Sequence, residues 1–166
     1  ENISNFSFSS QLMPKEEKLA FSPKRASLTI ALLKENDDAE RRVCLSPEAV
    51  GLLVEHGHKI LVEKGAGLAS QYNEMDYSEE GAYIIESKEE LLKASIILKV
   101  SALNKQEIAA LGRNQTILTT LQLMLRDKSY FSQLSEKKVT ALAFEKIKDN
   151  TGSYPIIRSM GEIVGN

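Results

Sequence analysis

The chain has 166 residues, of which 42% are hydrophobic and 27% are charged, and its formal net charge is -2. This composition supplies one globular core and excludes a disordered or fibrous protein. It provides neither a basic surface for nucleic acid nor an apolar run of about 18 residues for a membrane span. Nucleic-acid binding and membrane insertion are therefore not expected.

Residues 1–27 are rich in Ser and Asn and are predicted to be an N-terminal extension of the folded domain. They lack the apolar stretch of a secretory signal, so a cytoplasmic location is expected. The single cysteine, Cys44, cannot form an internal disulfide and is expected to be an unreactive buried thiol. His56 and His58 flank a glycine at a predicted helix end. Because their spacing does not suit a metal pair on one helix face, no metal site is expected.

Short apolar segments separated by turn residues are predicted to be β-strands, at residues 28–33, 58–63, 82–86, 95–100, 115–121 and 138–144. Helices that begin at a Ser, Asn or Asp N-cap are predicted at residues 46–55, 87–93, 104–111 and 127–135. The alternation of strands and helices predicts an α/β fold with a parallel sheet and right-handed crossovers. The most apolar strand, 95–100, is expected at the centre of the sheet.

The loop between the first strand and the first helix, residues 34–47, holds the strongest candidate for a binding residue. It leaves the C-terminal end of a strand, which is the edge of an open parallel sheet where ligands bind. Arg42 in this loop offers a planar pair of donors to a carboxylate or phosphate. The alternative is a solvated surface arginine beside Glu40.

A glycine turn is predicted at Gly65-Ala66-Gly67, although its place after a strand is similar to the start of a dinucleotide fingerprint. The sixth position of that fingerprint is Ser70, and residues 71–76 lack the apolar period of a crossover helix. No cofactor-binding residue is therefore expected in this chain.

Ser159-Met160-Gly161-Glu162 has the pattern of a capping box, which predicts a helix start. The sequence ends at Asn166, within about one turn, and so short a helix does not stabilise itself. Residues 159–166 are therefore expected to begin a helix that leads to another domain, which makes the chain a fragment. A naturally frayed terminus is the alternative.

Several spaced motifs together resemble one family, and they are Lys34-Glu35, Glu40-Arg41-Arg42-Val43, Leu45-Ser46-Pro47, Gly65-Ala66-Gly67, Ile97-Leu98-Lys99-Val100 and Met160-Gly161-Glu162-Ile163-Val164-Gly165. Their order is similar to that in the N-terminal domain of alanine dehydrogenase and of the nicotinamide nucleotide transhydrogenase alpha subunit. The resemblance implies a flavodoxin-like (Rossmann-like) three-layer domain at residues 28–158, with helices on both faces of the sheet. It also implies a small carboxylate substrate, a homo-oligomer, and a second domain, absent here, that binds NAD or NADP.

The resemblance also implies site residues. Arg42 falls on the carboxylate-binding arginine of the family. Ser101 stands where the family has a second basic residue, a lysine, and Gln122 stands where alanine dehydrogenases have the acid/base histidine. The remaining expected substrate contacts are Lys99, Arg158 and Met160.

Ser101 and Gln122 depart from the family pattern in a way that argues against ordinary alanine oxidation. Neither side chain titrates near neutral pH, whereas deamination requires proton transfers in addition to hydride transfer. The transhydrogenase branch is not matched either, because its polar cluster would fall on Ile147, Gly152, Pro155 and Arg158.

The function that the sequence favours is the substrate-side domain of an NAD(P)-dependent oxidoreductase of amino or oxo acids, inactive as an isolated fragment. Two alternatives stay open. They are a transhydrogenase-like nicotinamide-binding component and a non-catalytic binding or assembly module derived from such an enzyme. A phosphoacceptor receiver domain is not favoured, because Asp37, Asp38 and Asp149 lie past the ends of their strands.

Overall fold

A parallel β-sheet forms the centre of the computed structural model, which describes residues 26–122 and 126–164. Its strands are β1 (Thr29–Leu32), β2 (Lys59–Glu63), β3 (Tyr83–Ile85), β4 (Ile96–Leu98), β5 (Thr116–Thr119) and β6 (Thr140–Ala143). They lie in the order β3-β2-β1-β4-β5-β6, and every neighbouring pair is parallel. The predicted parallel α/β fold is confirmed, and β4 is central, beside β1. Most of the predicted N-terminal extension, residues 1–25, lies outside the described residues.

Five helices connect the strands, namely α1 (Pro47–Glu55), α2 (Glu74–Glu79), α3 (Lys88–Leu91), α4 (Lys105–Ala110) and α5 (Lys128–Glu136), and α6 (Pro155–Val164) follows β6. The side chains of Ser46 and Asp127 accept a hydrogen bond from the first turn of α1 and α5, as predicted. Asn104 forms a complete capping box with Glu107 at the start of α4. Ser87 caps α3 by accepting from the Glu90 amide, as its predicted N-cap role requires. These caps satisfy amide groups that have no partner inside a helix.

The core has two halves, one on each face of the sheet, because successive strand residues point to opposite faces. Ile30 and Leu32 of β1 pack in the half that contains Val50 of α1 and Tyr77 of α2. Ala31 lies in the other half, which contains buried side chains of α3, α4 and α5. This arrangement confirms a three-layer fold with helices on both faces.

The strand order creates a switch point between β1 and β4. The chain moves from β1 outward to β2 and β3, and then crosses back so that β4 lies on the other side of β1. The loops after β1 and β4 therefore diverge at the C-terminal edge of the sheet and leave a crevice, where ligands bind in open α/β folds.

Two helices differ from the sequence expectations. The helix expected to start at Ser159 begins at Pro155, and Ser159 lies inside it, with its hydroxyl donating to the Pro155 carbonyl at 3.0 Å. Proline is well suited to a first helical position because its φ is fixed and the missing N–H has no helical acceptor there. The short helix α2 was not predicted; its capping box is Asn73 with Asp76.

No helix within residues 26–122 and 126–164 is long and apolar enough to cross a membrane.

Candidate functional site

The loop after β1 borders a cavity of about 200 Å³ at the C-terminal edge of the sheet. Its lining comes from the β1 loop and from the turn after β2, and consists of Lys34, Glu35, Asp37, Asp38, Glu40, Arg42, Gly65, Ala66, Leu68 and Ala69. The sequence predicted a site in this loop, and the fold places the loop next to the switch point. Charged side chains dominate the lining, so the cavity suits a small polar ligand.

Arg42 is held in this cavity by Glu40. Its Nε donates to Glu40 Oε1 at 2.7 Å, its Nη2 donates to Glu40 Oε2 at 2.5 Å, and its backbone amide donates to Oε1 at 3.0 Å. The hydrogen bond between the side chains raises the pKa of Arg42 and lowers the pKa of Glu40. The pair is anchored at Glu40, whose side chain is 17% exposed, whereas that of Arg42 is 53% exposed.

The pairing leaves one edge of the guanidinium for a ligand. A guanidinium has two edges that can bind a carboxylate, and Glu40 occupies the Nε/Nη2 edge. On the other edge, Nη1 lies 3.5 Å from Met160 Sδ. A thioether sulfur is a weak acceptor that a carboxylate can displace. Arg42 is thus preoriented by one carboxylate and can receive a second.

Helix α6 brings Met160 to this site from the far end of the chain. Arg158 lies two residues earlier on the same helix and is exposed. Both residues lie within this helix, because it already starts at Pro155 and not at Ser159.

Ser101 lies across the switch point and is bound by Glu35. Glu35 Oε2 accepts from the Ser101 amide at 3.1 Å and from the Ser101 hydroxyl, and Oε1 accepts from the Val100 amide at 2.7 Å. Glu35 therefore joins the β1 loop to the β4 loop through neutral donors.

Lys99 is the most deeply buried charged residue of the site region, at 0% exposure. Its ammonium donates to both oxygens of Glu107 at 2.9 Å, and Lys88 donates to Glu107 Oε1 at 2.9 Å. Burial by itself raises the pKa of Glu107, but hydrogen bonds from Lys99, the Asn104 amide and Lys88 outweigh burial and hold that pKa below its usual range. The expectation that Lys99 supplements the substrate charge is not supported by this position, because its ammonium lies in a buried ion pair with Glu107.

The same network fixes the start of the β1 loop. Asn36 donates to Glu107 Oε1 at 3.1 Å and accepts from Lys88 at 3.1 Å. The amide of Lys34 donates to Glu63 Oε2, at the end of β2, at 2.8 Å. Together with Glu35, three consecutive residues are tied to three different parts of the fold.

Gln122 lies beyond the end of β5, two strands away from β1. Its backbone has a φ of 46°, in the left-handed region, and its amide donates to Glu145 Oε1 at 3.1 Å. The side chain is exposed, and residues 123–125 beyond it lie outside the described residues. The structure thus brings Met160 to Arg42 and Ser101 to Glu35, but it leaves Gln122 away from the lining of the Arg42 cavity.

The glycine turn after β2 packs against tyrosines and does not form a phosphate site. A Cβ on Gly67 would lie 2.6 Å from Tyr77 Cε2 and 2.8 Å from Tyr72 Cβ. The next α-helix, α2, carries Glu74 and Asp76 in its first turn, which repel a phosphate. The residues present here do not fit the pyrophosphate of a dinucleotide.

Cys44 and the two histidines stay outside the chemistry of the cavity. Burial raises the pKa of the Cys44 thiol to about 12, which keeps it protonated.

His56 Nδ1 lies 2.6 Å from the Leu52 carbonyl at the end of α1, and His58 Nδ1 accepts from the Leu28 amide at the start of β1. Both histidines are therefore at the N-terminal edge of the sheet, opposite Arg42. Among residues 26–122 and 126–164, no three His, Cys, Asp or Glu side chains cluster in a way that could hold a metal ion.

Sequence reasoning missed the roles of Glu35 and Glu107. Glu107 was predictable as the third residue of a capped helix, but not as the partner of Lys99, since their pairing requires β4 and α4 to be folded together. A lysine directly after an apolar strand was the available signal, because a buried ammonium needs an anion. Glu35 had no comparable local signal.

Comparison with known proteins places these features in a family. The family model described as "Alanine dehydrogenase/PNT, N-terminal domain" matches residues 31–164. Alanine dehydrogenases, which are oxidoreductases, from Staphylococcus saprophyticus and Bacillus subtilis are 33% and 31% identical to this chain over 138 residues. These matches cover 83% of this chain but only 37% and 36% of those proteins. The chain therefore spans little more than a third of the length of these relatives.

Solved structures agree with the sequence matches. An L-alanine dehydrogenase superposes with a TM-score of 0.75 at 29% identity, over 80% of this chain and 37% of that one. A transhydrogenase from Sinorhizobium meliloti superposes with a TM-score of 0.68 at 28% identity, over 74% of this chain and 36% of that one. From its motifs, its sheet order and these matches, the chain belongs to the family of alanine dehydrogenase and transhydrogenase N-terminal domains.

Proposed function

We propose that this chain is the substrate-side domain of an NAD(P)-dependent oxidoreductase, in which Arg42 binds the carboxylate of a small amino or oxo acid. The observation that carries the proposal is the geometry of Arg42. Glu40 fixes one edge of the guanidinium, while the other edge lies beside the cavity, where its hydrogen-bond partner among the described residues is a weak acceptor, Met160 Sδ. A preoriented arginine binds a carboxylate with two parallel hydrogen bonds, and little side-chain freedom is lost on binding.

The proposed enzyme needs a second domain for its cofactor. In this proposal residues 28–158 form the substrate-side domain, residues 159–166 belong to the helix that leads to the next domain, and that domain binds NAD or NADP. The turn at Gly67 is filled by tyrosine side chains, which supports assigning the cofactor elsewhere. The cofactor would supply the hydride, and this domain would hold the substrate carboxylate in place. The full-length enzyme is proposed to be a homo-oligomer, as the resemblance implies.

The test replaces Arg42 by lysine in the full-length protein and measures the binding of a small carboxylate such as pyruvate by calorimetry. Lysine keeps the charge but cannot hold Glu40 and a ligand on two edges at once, so binding should weaken by about 1.5–3 kcal/mol. Arg41→Lys is the matched control, because Arg41 is the exposed neighbour and is not a lining residue of the cavity. Equal affinity in wild type and Arg42→Lys would remove Arg42 from the site.

A second candidate function is a non-catalytic binding module. It is favoured by the lack of an ionisable side chain at Ser101 and Gln122. Ser101 is neutral and its hydroxyl is used by Glu35, and Gln122 has no ionisable proton. Assaying the full-length protein with NAD(H) and NADP(H) separates the two functions. The isolated chain should show no turnover in either case, and measurable turnover by it would contradict the proposed division between the domains.

A further inference from the structure

A second cavity, of about 280 Å³, lies between α4 and α5 and is lined by residues that carry two buried donors without an acceptor. The donors are the hydroxyl of Tyr130 and the Nε of Arg126, neither of which forms a hydrogen bond with a described residue. Tyr130 as a whole is only 6% exposed. Buried donors are nearly always paired in folded proteins, because an unpaired one keeps its full desolvation cost. Two of them at one cavity indicate a ligand that accepts hydrogen bonds.

Arg126 is stacked on the ring of Tyr130. Its Cζ lies 5.6 Å from the ring centroid, within the range of a cation–π contact. Burial is the largest influence on the pKa of Tyr130 and raises it, so the hydroxyl stays protonated and acts as a donor. The charge of Arg126 and the Leu103 amide oppose this rise, because both stabilise negative charge at the hydroxyl oxygen. Glu107 adds to the rise, but it is itself paired with Lys99.

The charged side chains around the cavity favour an anion with a single negative charge. Lys105 and Arg126 supply two positive charges, and Asp127 supplies one negative charge. Asp127 is occupied by the first turn of α5, where it accepts from the Tyr130 amide at 3.0 Å and from the Ser129 hydroxyl at 2.9 Å. The surplus of one positive charge suits a carboxylate better than a phosphate dianion.

The cavity also has an apolar wall. Leu103 and Ile108 line it and are 1% and 0% exposed. They belong to the same half of the core as Tyr130. The hydrocarbon part of an organic acid would be removed from water against this wall, which favours an organic acid over an inorganic anion.

We infer that this cavity is a second binding site, which holds the carboxylate of a small organic monoacid on the Tyr130 hydroxyl and Arg126 Nε. One carboxylate satisfies both donors through charge-assisted hydrogen bonds. Arg126 is only partly buried, so a rotation of its guanidinium gives a ligand access to both donors. The cavity shares no lining residue with the Arg42 cavity, so the inference goes beyond the proposed function.

The test titrates propionate, a carboxylate with a short apolar tail, into the full-length protein carrying Arg42→Lys, by isothermal titration calorimetry. Arg42→Lys weakens the carboxylate site of the proposed function, so the remaining propionate binding reports the second site. Tyr130→Phe in this background removes only the hydroxyl and should weaken propionate binding at least about tenfold, the loss of one hydrogen bond to a charged group. Tyr83→Phe is the matched control, because Tyr83 is exposed on the edge strand β3 and does not line the cavity.

The positive charge and the ligand are varied in the same assay. Arg126→Gln should also weaken propionate binding at least about tenfold, because it removes the charge and the Nε donor. Arg113→Gln is its control, since Arg113 is exposed and does not line the cavity. Propionamide, which has the shape of propionate without its charge, should not bind, and inorganic phosphate should bind more weakly than propionate.

Urea unfolding separates a loss of the ligand from a loss of folding. Without propionate, Tyr130→Phe should have the midpoint of its parent or a higher one, because the hydroxyl has no described partner to lose. Propionate should raise the midpoint of the parent, since a ligand of the folded state stabilises it, and should leave that of Tyr130→Phe nearly unchanged.

Three results would overturn the second site: no propionate binding by the Arg42→Lys protein, an undiminished affinity in Tyr130→Phe or Arg126→Gln, or phosphate binding tighter than propionate binding. A lower midpoint of Tyr130→Phe without ligand would also overturn it, by showing that the hydroxyl has a partner inside the fold. None of these results affects the proposed function, which the affinities of wild type and Arg42→Lys for pyruvate decide.

Discussion

Replacing Glu107 by glutamine should destabilise the fold strongly, because it leaves the buried Lys99 without a charged partner. Lys99 is 0% exposed and its ammonium has both Glu107 oxygens at 2.9 Å. Glutamine offers one oxygen in place of two and directs an N–H₂ group at the ammonium or at Lys88. Breaking a buried pair by removing one partner costs about 3–5 kcal/mol, most of which is the penalty of the unpaired charge that stays behind.

Urea unfolding of the chain, followed by circular dichroism, measures this loss. With a slope of about 2 kcal/mol per molar urea, the midpoint should fall by roughly 1.5–2.5 M. Glu55→Gln is the control, because Glu55 is exposed at the end of α1 and makes no described contact with a cation. A midpoint shift no larger in Glu107→Gln than in Glu55→Gln would refute the argument that Glu107 compensates the buried charge of Lys99.

The pH dependence of stability provides a second readout of the same pair. The pKa of Glu107 lies below its usual range in the folded chain, so the unfolded chain takes up a proton at higher pH than the folded one. The stabilisation is therefore present above the unfolded pKa and is lost as the pH falls through the folded pKa. Glu107→Gln should be less stable than wild type at neutral pH, and the difference should shrink on acidification.

Three further outcomes are expected. Gly67→Ala should destabilise the fold by about 1–3 kcal/mol in the same urea assay, because the added Cβ would lie 2.6 Å from Tyr77 Cε2. An unchanged midpoint would show that the turn relaxes to accommodate the methyl group. The Cys44 thiol, whose pKa is raised by burial to about 12, should resist iodoacetamide at pH 8 in the folded chain and react in urea, as mass spectrometry would show. Rapid reaction without urea would contradict the raised pKa of this half-buried thiol. Gln122→His alone should not raise alanine deamination by the full-length protein, because Ser101 still supplies no cation; a clear gain in rate from this single change would contradict that reasoning.

Local patterns were sufficient to predict most of the fold. The strand at residues 95–100 was recognisable from its apolar run, and the N-caps Ser46 and Asp127 marked helix starts that the structure confirms. The start of α6 was predicted incorrectly because Ser159 and Glu162 imitate a capping box, whereas Pro155 begins the helix. Both patterns are local signals of a helix start, and sequence alone did not decide between them.

The candidate site was only partly predictable, and the reason is physical. Arg42 stood out because the chemistry of a guanidinium and the position of its loop are both local properties. The interactions of Glu35 with Ser101 and of Lys99 with Glu107 depend on which loops the switch point brings together. The resemblance indicated that Ser101 is unusual, but only the fold shows that its hydroxyl is bound to Glu35.

The hydrogen bonds of Lys34, Glu35 and Asn36 anchor the start of the β1 loop to three other parts of the fold. The Lys34 amide, together with the Val100 and Ser101 amides that bind Glu35, should be protected from hydrogen exchange on the timescale of sub-global opening. Residues 37–40 then make short-range bonds, such as Glu40 N–H to the Asp37 carbonyl at 3.0 Å, and the Arg41 carbonyl beyond them accepts from the Ser70 hydroxyl at 2.6 Å. A displacement of Arg42 toward a ligand would therefore break the Arg41–Ser70 and Arg42–Met160 contacts, whereas the Glu40–Arg42 ion pair could move as a unit.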